Sequence, residues 1–558
     1  MKSLGRWHQY SILAISYAVL AFLAYGASLS SAFISDDYNL IHGVSRGGPF
    51  GIFSHAPTDY FRPIVSLSIW TDYQLYGLNP IGYHVTNVLL HVAVSVLVAL
   101  LFTRVFGSLR LQNPERLGML SGGIYLLLPS HFEPVVWIAA RSDLLGSIFT
   151  LLTLLSYLHY LETKRTSVLF YTALFALAAF LSKETTLPVV AIAPIFGFLV
   201  EGREAARRIL GAAVLLAAIA AIFFVWRSTI VGSLVGASSN QSLLIAPKPT
   251  HVIGNVALYW FRSLLPGIPP DWLGGGSGLR MMDHLSAFIR ANRLPLILIS
   301  LFIVVVTAIL LQRNLGGKEN EGRRRLFFAA LVSFALSASL SLPLFVSLTG
   351  TRNERYVYLP SVFSLLAVIA LIPMLQNWRN TRSAAVLVVI FLGCIAGLCS
   401  NTLYNNRAAA FAEHVYQQLP VLSDELVRDH ASTAVLINGP ETLDGYAVCT
   451  NSLNSALQLL TPPGRNQKLY VLAKADFASF GDEMSAVIGR ASIAGVGGFI
   501  LAAGPPDISP EMQRRFDARI TSLNELTWNP VDDPVVKVVY LSGGQLQSIA
   551  GSSTNSKK

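Results

Sequence analysis

Hydrophobic positions in the first 403 residues run in long unbroken stretches, not in the alternation of a half-buried strand or the single apolar stripe of a surface helix. Eleven such stretches approach the roughly 20 residues that cross a bilayer as a helix: 9–30, 84–103, 117–137, 143–161, 167–181, 185–200, 209–230, 294–312, 326–348, 356–375 and 384–403. Some are shortened or interrupted by proline, and Ser182-Lys183-Glu184-Thr185 is a very short separator between two of them. After Leu403 the pattern becomes that of an ordinary domain. Short β-type runs at Ala434–Ile437, Leu469–Leu472, Gly498–Leu501 and Val535–Leu541 alternate with helix-like stretches at 405–419, 451–460 and 477–490. The expected architecture is a polytopic α-helical membrane protein with about 11 transmembrane helices, 1–403, followed by a soluble α/β domain, 404–550, and a disordered tail, 551–558. No repeat of fixed period is visible.

Composition agrees: 53% of the 558 residues are hydrophobic and 13% charged, and the mean hydropathy is +0.53, too apolar for a soluble protein. The net charge of +10 has a topological origin. Alternate connections carry Lys2 and Arg6; Arg104, Arg110 and Arg116; Lys164 and Arg165; Arg203, Arg207 and Arg208; Arg313, Lys318, Arg323, Arg324 and Arg325; and Arg379 and Arg382, 17 cations against 6 acids. The positive-inside rule makes these connections and the N-terminus cytoplasmic. Residues 404–558 hold 12 Lys+Arg against 15 Asp+Glu, so nucleic acid is not implied. An odd number of spans then exports the C-terminal domain. The first apolar run is too long for the core of a cleavable signal and is expected to be retained. Of three cysteines, Cys394 and Cys399 fall in the last span and Cys449 lies outside, which suggests neither a disulfide framework nor a zinc site.

The same topology gathers ionisable residues at the outer mouths of the helices: Asp36 and Asp37, Arg62, His84 and His91, Glu133, Arg141 and Asp143, Lys183 and Glu184, Arg227, and Glu354 and Arg355. Charges beside spans are costly and seldom lack partners, so their shared depth points to a water-filled cavity. His84, Asn87 and His91 lie on one helical stripe, but seven residues put the two histidines roughly 10 Å apart, too far to share one metal ion. A polar stripe facing the cavity therefore fits better than a metal site. Asp36-Asp37 opens the long outer loop 31–83, whose run Ile64–Trp70 suits an interfacial helix; a second outer segment, about 231–293, suits another near 252–265. Paired carboxylates serve general-base chemistry, since like charges held close raise one pKa while the other stays ionised. The structural alternative is an Asx turn capping a loop helix. Arg227, with Arg62, Arg141, Lys183 or Arg355, is suited to clamp a phosphate. For each cation the alternative is an ion pair at a helix end, or an interfacial anchor such as Arg355 with Tyr356 and Tyr358.

These residues, taken in order, resemble a family. Asp36-Asp37-Tyr38, Phe61-Arg62-Pro63, Gly77-Leu78-Asn79-Pro80, Gly82-Tyr83-His84-Val85-Thr86-Asn87 and His91 look like the first luminal loop and second helix of GT-C glycosyltransferases. Among these they most resemble bacterial relatives of the protein O-mannosyltransferases, including the tetratricopeptide-bearing type. Pro129–Val135 with Trp137, Arg141 and Asp143, Ser182-Lys183-Glu184, and Glu354-Arg355-Tyr356 with Tyr358 continue the likeness, which covers about residues 30–360. The resemblance implies a sugar donor carried on a polyprenyl phosphate and transfer to an acceptor hydroxyl of a protein or glycan with inversion. It makes Asp36 the base, Asp37 its partner and Arg227 a ligand of the phosphate, with no metal or other cofactor; from the clustering of charge, Arg62, Lys183 and Arg355 are expected to join Arg227, and His84, Asn87, His91, Glu133, Arg141, Asp143, Glu184, Glu354 and Tyr356 to line the cavity. The departure is at the C-terminus, where an α/β domain replaces the tetratricopeptide repeats, so neither mannose nor the family's acceptor is carried over. The expected setting is the inner membrane of a bacterium, with the C-terminal domain periplasmic. Two readings compete: a transporter or flippase of lipid-linked glycan, disfavoured because no duplicated halves are visible, and a non-catalytic membrane anchor for the exported domain.

Overall fold

The structure is a computed structural model and describes residues 2–51, 60–232, 249–267, 317, 320–342, 344, 346, 351, 353–371, 381–443, 446–449, 452–480, 483–488, 536–542 and 544–548. The chain divides into two compact units. The first takes the described residues of Met1–Ser30, Val44–Pro269 and Arg280–Thr402; the second takes those of Ser31–Gly43 and Leu403–Lys558.

The first unit is helical. Its elements are α1 (Lys2–Tyr25), most of α2 (Asp37–Gly51), α3 (Pro63–Tyr76), α4 (Pro80–Ser108), α5 (Pro114–Leu127), α6 (Phe132–Val136), α7 (Arg141–Thr163), α8 (Thr166–Ser182), α9 (Val189–Glu201), α10 (Ala206–Val231), α11 (Pro249–Arg262), α12 (Glu321–Ser339), α13 (Tyr358–Leu371) and the first part of α14 (Thr381–Gln417). Among the described residues seven helices are long and apolar enough to cross a membrane, and the chain is a multi-pass membrane protein. Ten of the eleven sequence stretches overlap described helices, 326–348 only as far as Ser339, and 294–312 lies outside the described residues. The proposed interfacial segments are helices too, α3 and α11.

One stretch differs from its expectation. Residues 117–137 are not a single helix: α5 stops at Leu127, and the chain passes through a 3₁₀ turn at Pro129–His131, the short α6 and a second 3₁₀ turn at Ile138–Ala140. Pro129 supplies no N–H and holds Leu128 extended (φ −60°, ψ 122°), which ends α5. Non-helical backbone at membrane depth must be enclosed by protein, and every residue from Tyr125 to Ile138 is buried. Elsewhere the core is aliphatic and aromatic, running from Tyr17 of α1 through Phe102, Leu154 and Phe196 to Phe363 of α13. Close packing of α5 on α4 depends on Gly118 and Gly122. A Cβ at Gly118 would stand 2.7 Å from the Ala99 carbonyl oxygen, and one at Gly122 2.6 Å from that of Ser95. This small-xxx-small spacing is what brings membrane helices into backbone contact.

The second unit contains the rest of α14, α15 (Leu419–Arg428) and α16 (Leu453–Leu460) with strands β1 (Thr433–Leu443), β2 (Tyr446–Ala447), β3 (Lys468–Phe480), β4 (Glu483–Ile488), β5 (Val536–Ser542) and β6 (Gln545–Ser548). The sheet order is β4-β3-β1-β5-β6, with β2 paired to β1. Central β1 is parallel to β3 and β5, while β4 and β6 add antiparallel edges. Its α/β character follows the sequence pattern, with one correction. The described residues of the helix expected over 477–490, 477–480 and 483–488, are strand, because β3 continues to Phe480 and pairs antiparallel with β4, Phe480 opposite Glu483. The intervening Gly-Asp in the sequence is a hairpin signal that outweighs the helix-forming Met and Ala beyond it. The expected strand at Gly498–Leu501 lies outside the described residues.

Candidate functional site

Three interruptions of the helices carry five of the ionisable residues singled out in the sequence, Glu133, Lys183, Glu184, Glu354 and Arg355. The first is the 128–140 segment with Glu133. The second is the break after α8, where Lys183 is extended (φ −161°, ψ 129°) and Glu184 opens a 3₁₀ turn. The third is the 3₁₀ turn Glu354–Val357, entered through Asn353 in the left-handed region (φ 69°) and leading into α13. Each break frees side chains and backbone N–H groups that a continuous helix would direct elsewhere.

The charged groups meet as ion pairs. Lys183 Nζ lies 2.6 Å from both oxygens of Asp143, at the start of α7, and both side chains are buried. Arg62, just before α3, makes a two-pronged contact with Glu184, Nη2 to Oε1 at 2.6 Å and Nε to Oε2 at 3.1 Å. Its guanidinium lies 4.4 Å over the Tyr60 ring. Arg355 donates from Nη1 to Glu133 Oε1 at 2.8 Å, and Glu133 also accepts the backbone N–H groups of Arg355 (2.8 Å) and Asn353 (3.2 Å). The Arg355 guanidinium lies 4.6 Å from each of the Trp137 and Tyr356 rings, and Lys183 Nζ is 5.4 Å from the Tyr356 ring. Aromatic faces thus join the Arg355 pair to the Lys183 pair. Asp143 also interacts electrostatically with Arg62 and Arg355, and Arg227, buried on α10, interacts with Glu184, Arg62 and Tyr60.

Depth separates these groups. The Arg62 and Arg355 side chains keep 20% and 21% of their surface exposed, with Glu184, Tyr60 and Tyr356 half-buried beside them. Burial pulls the Arg62 guanidinium down, but the facing Glu184 carboxylate outweighs this and lifts its pKa above the ordinary guanidinium range. Burial raises the Tyr60 phenol, which stays a neutral hydrogen-bonding group at physiological pH, with the Arg62 charge opposing the shift.

The helix stripe on α4 has structural partners. Arg141 is fully buried; it pairs with Asp72 of α3 at 2.6 Å and donates to Asn87 Oδ1 (2.7 Å), Ser68 Oγ (3.0 Å) and the Tyr83 carbonyl (3.1 Å). Asn87 in turn donates to the carbonyls of Val135 and Trp137. His91 lies between Tyr358 Oη (2.7 Å) and the Leu126 carbonyl (3.0 Å), packed on the rings of Tyr25, Tyr125 and His131. His84 is buried as well. Asn87 and His91 therefore bind α4 to the broken segment and to α13. Two members of the charge network were not foreseen in the sequence. Asp72 is the lone acid of an apolar helix, a signal that was available. Arg262, at the last residue of α11, pairs with Glu354 at 2.5 Å and reads in sequence as an ordinary cation at a helix end.

Asp36 and Asp37 belong to the second unit, where their environments differ. Asp37 is fully buried, and its Oδ2 accepts the Ile34 backbone N–H at 2.9 Å while its own N–H bonds the Ile34 carbonyl. That is a local turn closed by a side chain, at the first residue of α2. Asp36 precedes it in the N-cap position, its carbonyl accepting the Leu40 N–H at 3.1 Å, and remains half-exposed. Tyr38 packs edge-on against Phe33 and Tyr416. Among the described residues no group of three or more His, Cys, Asp or Glu is arranged to hold a metal ion.

Comparison with known proteins gives segmental likenesses. The chain is 30% identical over 187 residues to the protein O-mannosyl-transferase Tmtc1 of Drosophila melanogaster, covering 30% of this chain and 21% of that protein. It is 36% identical over 105 residues to human TMTC4, 17% and 14% of the two chains, and 34% identical over 155 residues to mouse TMTC2, 27% and 18%. Both are named protein O-mannosyl-transferases, and the chain spans at most about a fifth of the length of these three relatives. No family model matches. Among solved structures, that of ArnT from Cupriavidus metallidurans bound to undecaprenyl phosphate is 12% identical with a TM-score of 0.40, over 83% of this chain and 92% of that one.

Proposed function

We propose that this protein is a GT-C glycosyltransferase of the O-mannosyltransferase type. It moves a sugar from a polyprenyl-phosphate donor to a hydroxyl of a protein or glycan, at the periplasmic face of a bacterial inner membrane. The observation that carries the reading is the cluster of partly exposed and buried cations, Arg62, Lys183, Arg355 and Arg227, in a membrane unit, with Lys183 and Arg355 set there by helix interruptions. Sequence likeness to several protein O-mannosyl-transferases supports the same class.

In the proposed reaction the acceptor oxygen attacks the anomeric carbon, Asp36 takes the hydroxyl proton, and the bond from that carbon to the phosphate oxygen breaks with inversion. A phosphodiester with one negative charge becomes a phosphomonoester carrying nearly two. Fixed cations therefore attract the leaving group more strongly as the bond breaks, the differential binding that lowers a barrier. Arg62 and Arg355, whose guanidinium groups reach solvent, are the donor contacts, while Lys183 and Arg227 supply buried positive charge. Asp36 is favoured over Asp37 as base because the Asp37 carboxylate closes its own turn.

The test is incubation of the purified full chain with a panel of polyprenyl-phosphate sugars and acceptors, reading released polyprenyl phosphate. Release that depends on acceptor and vanishes in Asp36→Asn is expected. Passage of labelled lipid across proteoliposomes without sugar transfer would instead establish a transporter.

A further inference from the structure

We propose that Arg262 is a positioning residue for the donor phosphate, acting through Glu354 on the turn that carries Arg355; the inference rests on the donor reading above. Arg262 ends α11, donating from Nη1 to the Leu265 carbonyl at 2.9 Å and from Nη2 to Glu354 Oε1 at 2.5 Å. The Arg262 and Glu354 side chains are 3% and 0% exposed, so the pair itself is inaccessible to a substrate.

Glu354 and Arg355 are consecutive residues of one 3₁₀ turn. With three residues per turn, adjacent side chains leave the axis about 120° apart, so anchoring one sets the direction of the next. Glu354 points inward to Arg262, and Arg355 emerges half-exposed between Trp137 and Tyr356. Glu133 holds the same turn by its backbone N–H groups. Burial is the larger cost to the Glu354 carboxylate and the nearby Glu133 adds to it, and Arg262 offsets both. Without Arg262, Glu354 loses the partner that fixes its direction, and the turn no longer holds the Arg355 guanidinium toward a ligand.

The measurement is the affinity of the purified full chain for polyprenyl phosphate, with the melting temperature of each variant taken alongside. Arg262→Met should weaken binding tenfold or more, and Arg262→Lys, which keeps the charge, should stay within about threefold. Arg262→Met with Glu354→Gln removes both buried charges. It should recover the wild-type melting temperature yet bind at least tenfold more weakly, because the turn has lost its anchor. Recovery of both stability and affinity in that double variant, or undiminished affinity in Arg262→Met, overturns the proposal. Failure of the wild-type chain to bind polyprenyl phosphate overturns the donor reading on which it stands, whatever Arg262 does.

Discussion

The ammonium of Lys183 lies 2.6 Å from each carboxylate oxygen of Asp143, in a setting that leaves neither side chain appreciable contact with solvent. Forty residues separate the two in sequence, and the pair joins the break after α8 to the start of α7. An ion pair this deep holds two elements in register, but it contributes through completeness, since either partner alone is a buried, uncompensated charge.

Asp143→Asn should therefore destabilise the folded protein by about 3–5 kcal/mol. Lys183→Met in the same chain should restore most of that stability without restoring transfer, as the cation is absent. Thermal unfolding in detergent and a transfer assay separate the two effects.

The adjacent aspartates should part company. Asp36→Asn is expected to lower transfer by about 10²–10⁴-fold with an unchanged melting temperature, as loss of a general base does. Asp37→Ala removes the acceptor of the Ile34 N–H and should cost about 1–2 kcal/mol of stability. Equal loss of transfer at constant stability in both would argue that the carboxylates act as one unit.

His91 is hydrogen-bonded at both ring nitrogens inside an aromatic cluster. His91→Phe should lower stability by about 1–3 kcal/mol by stranding the Tyr358 hydroxyl and the Leu126 carbonyl, while the donor KM stays within about twofold. A large rise in KM would place the imidazole at the substrate.

Arg62 sets an expectation for pH. Burial lowers its folded pKa but Glu184 more than offsets this and raises it, so the stabilisation is fully present below the ordinary guanidinium pKa of the unfolded chain and is lost only as pH rises through the still higher folded value. Donor binding should show no titration from Arg62 between about pH 6 and pH 10. Arg62→Lys keeps the charge but loses the two-pronged contact, and a severalfold rise in donor KM is expected.

The sequence by itself determined the parts of this protein that depend on local composition. Long apolar runs specify membrane helices wherever they occur, because a backbone in lipid has no partner but itself. The swing to short β-type runs after Leu403 likewise specified the parallel strands β1, β3 and β5, whose continuous apolar character needs no distant information. Most of the ionisable residues could be named as well, since they stand out against an apolar background, but Asp72 and Arg262 were not among them. Only tertiary structure decided how they are joined. Arg141 finds Asp72, Arg62 finds Glu184, and Arg262 finds Glu354 across 69, 122 and 92 residues of chain, separations at which no periodicity operates. It also decided that Pro129 breaks the third span, that Asn87 and His91 serve as interhelical ties, and that Asp37 closes a turn while Asp36 stays half-exposed. Burial and hydrogen-bond partnership are properties of the packed chain: the same side chain is a ligand, a strut or a cap according to what the fold sets within 3 Å of it.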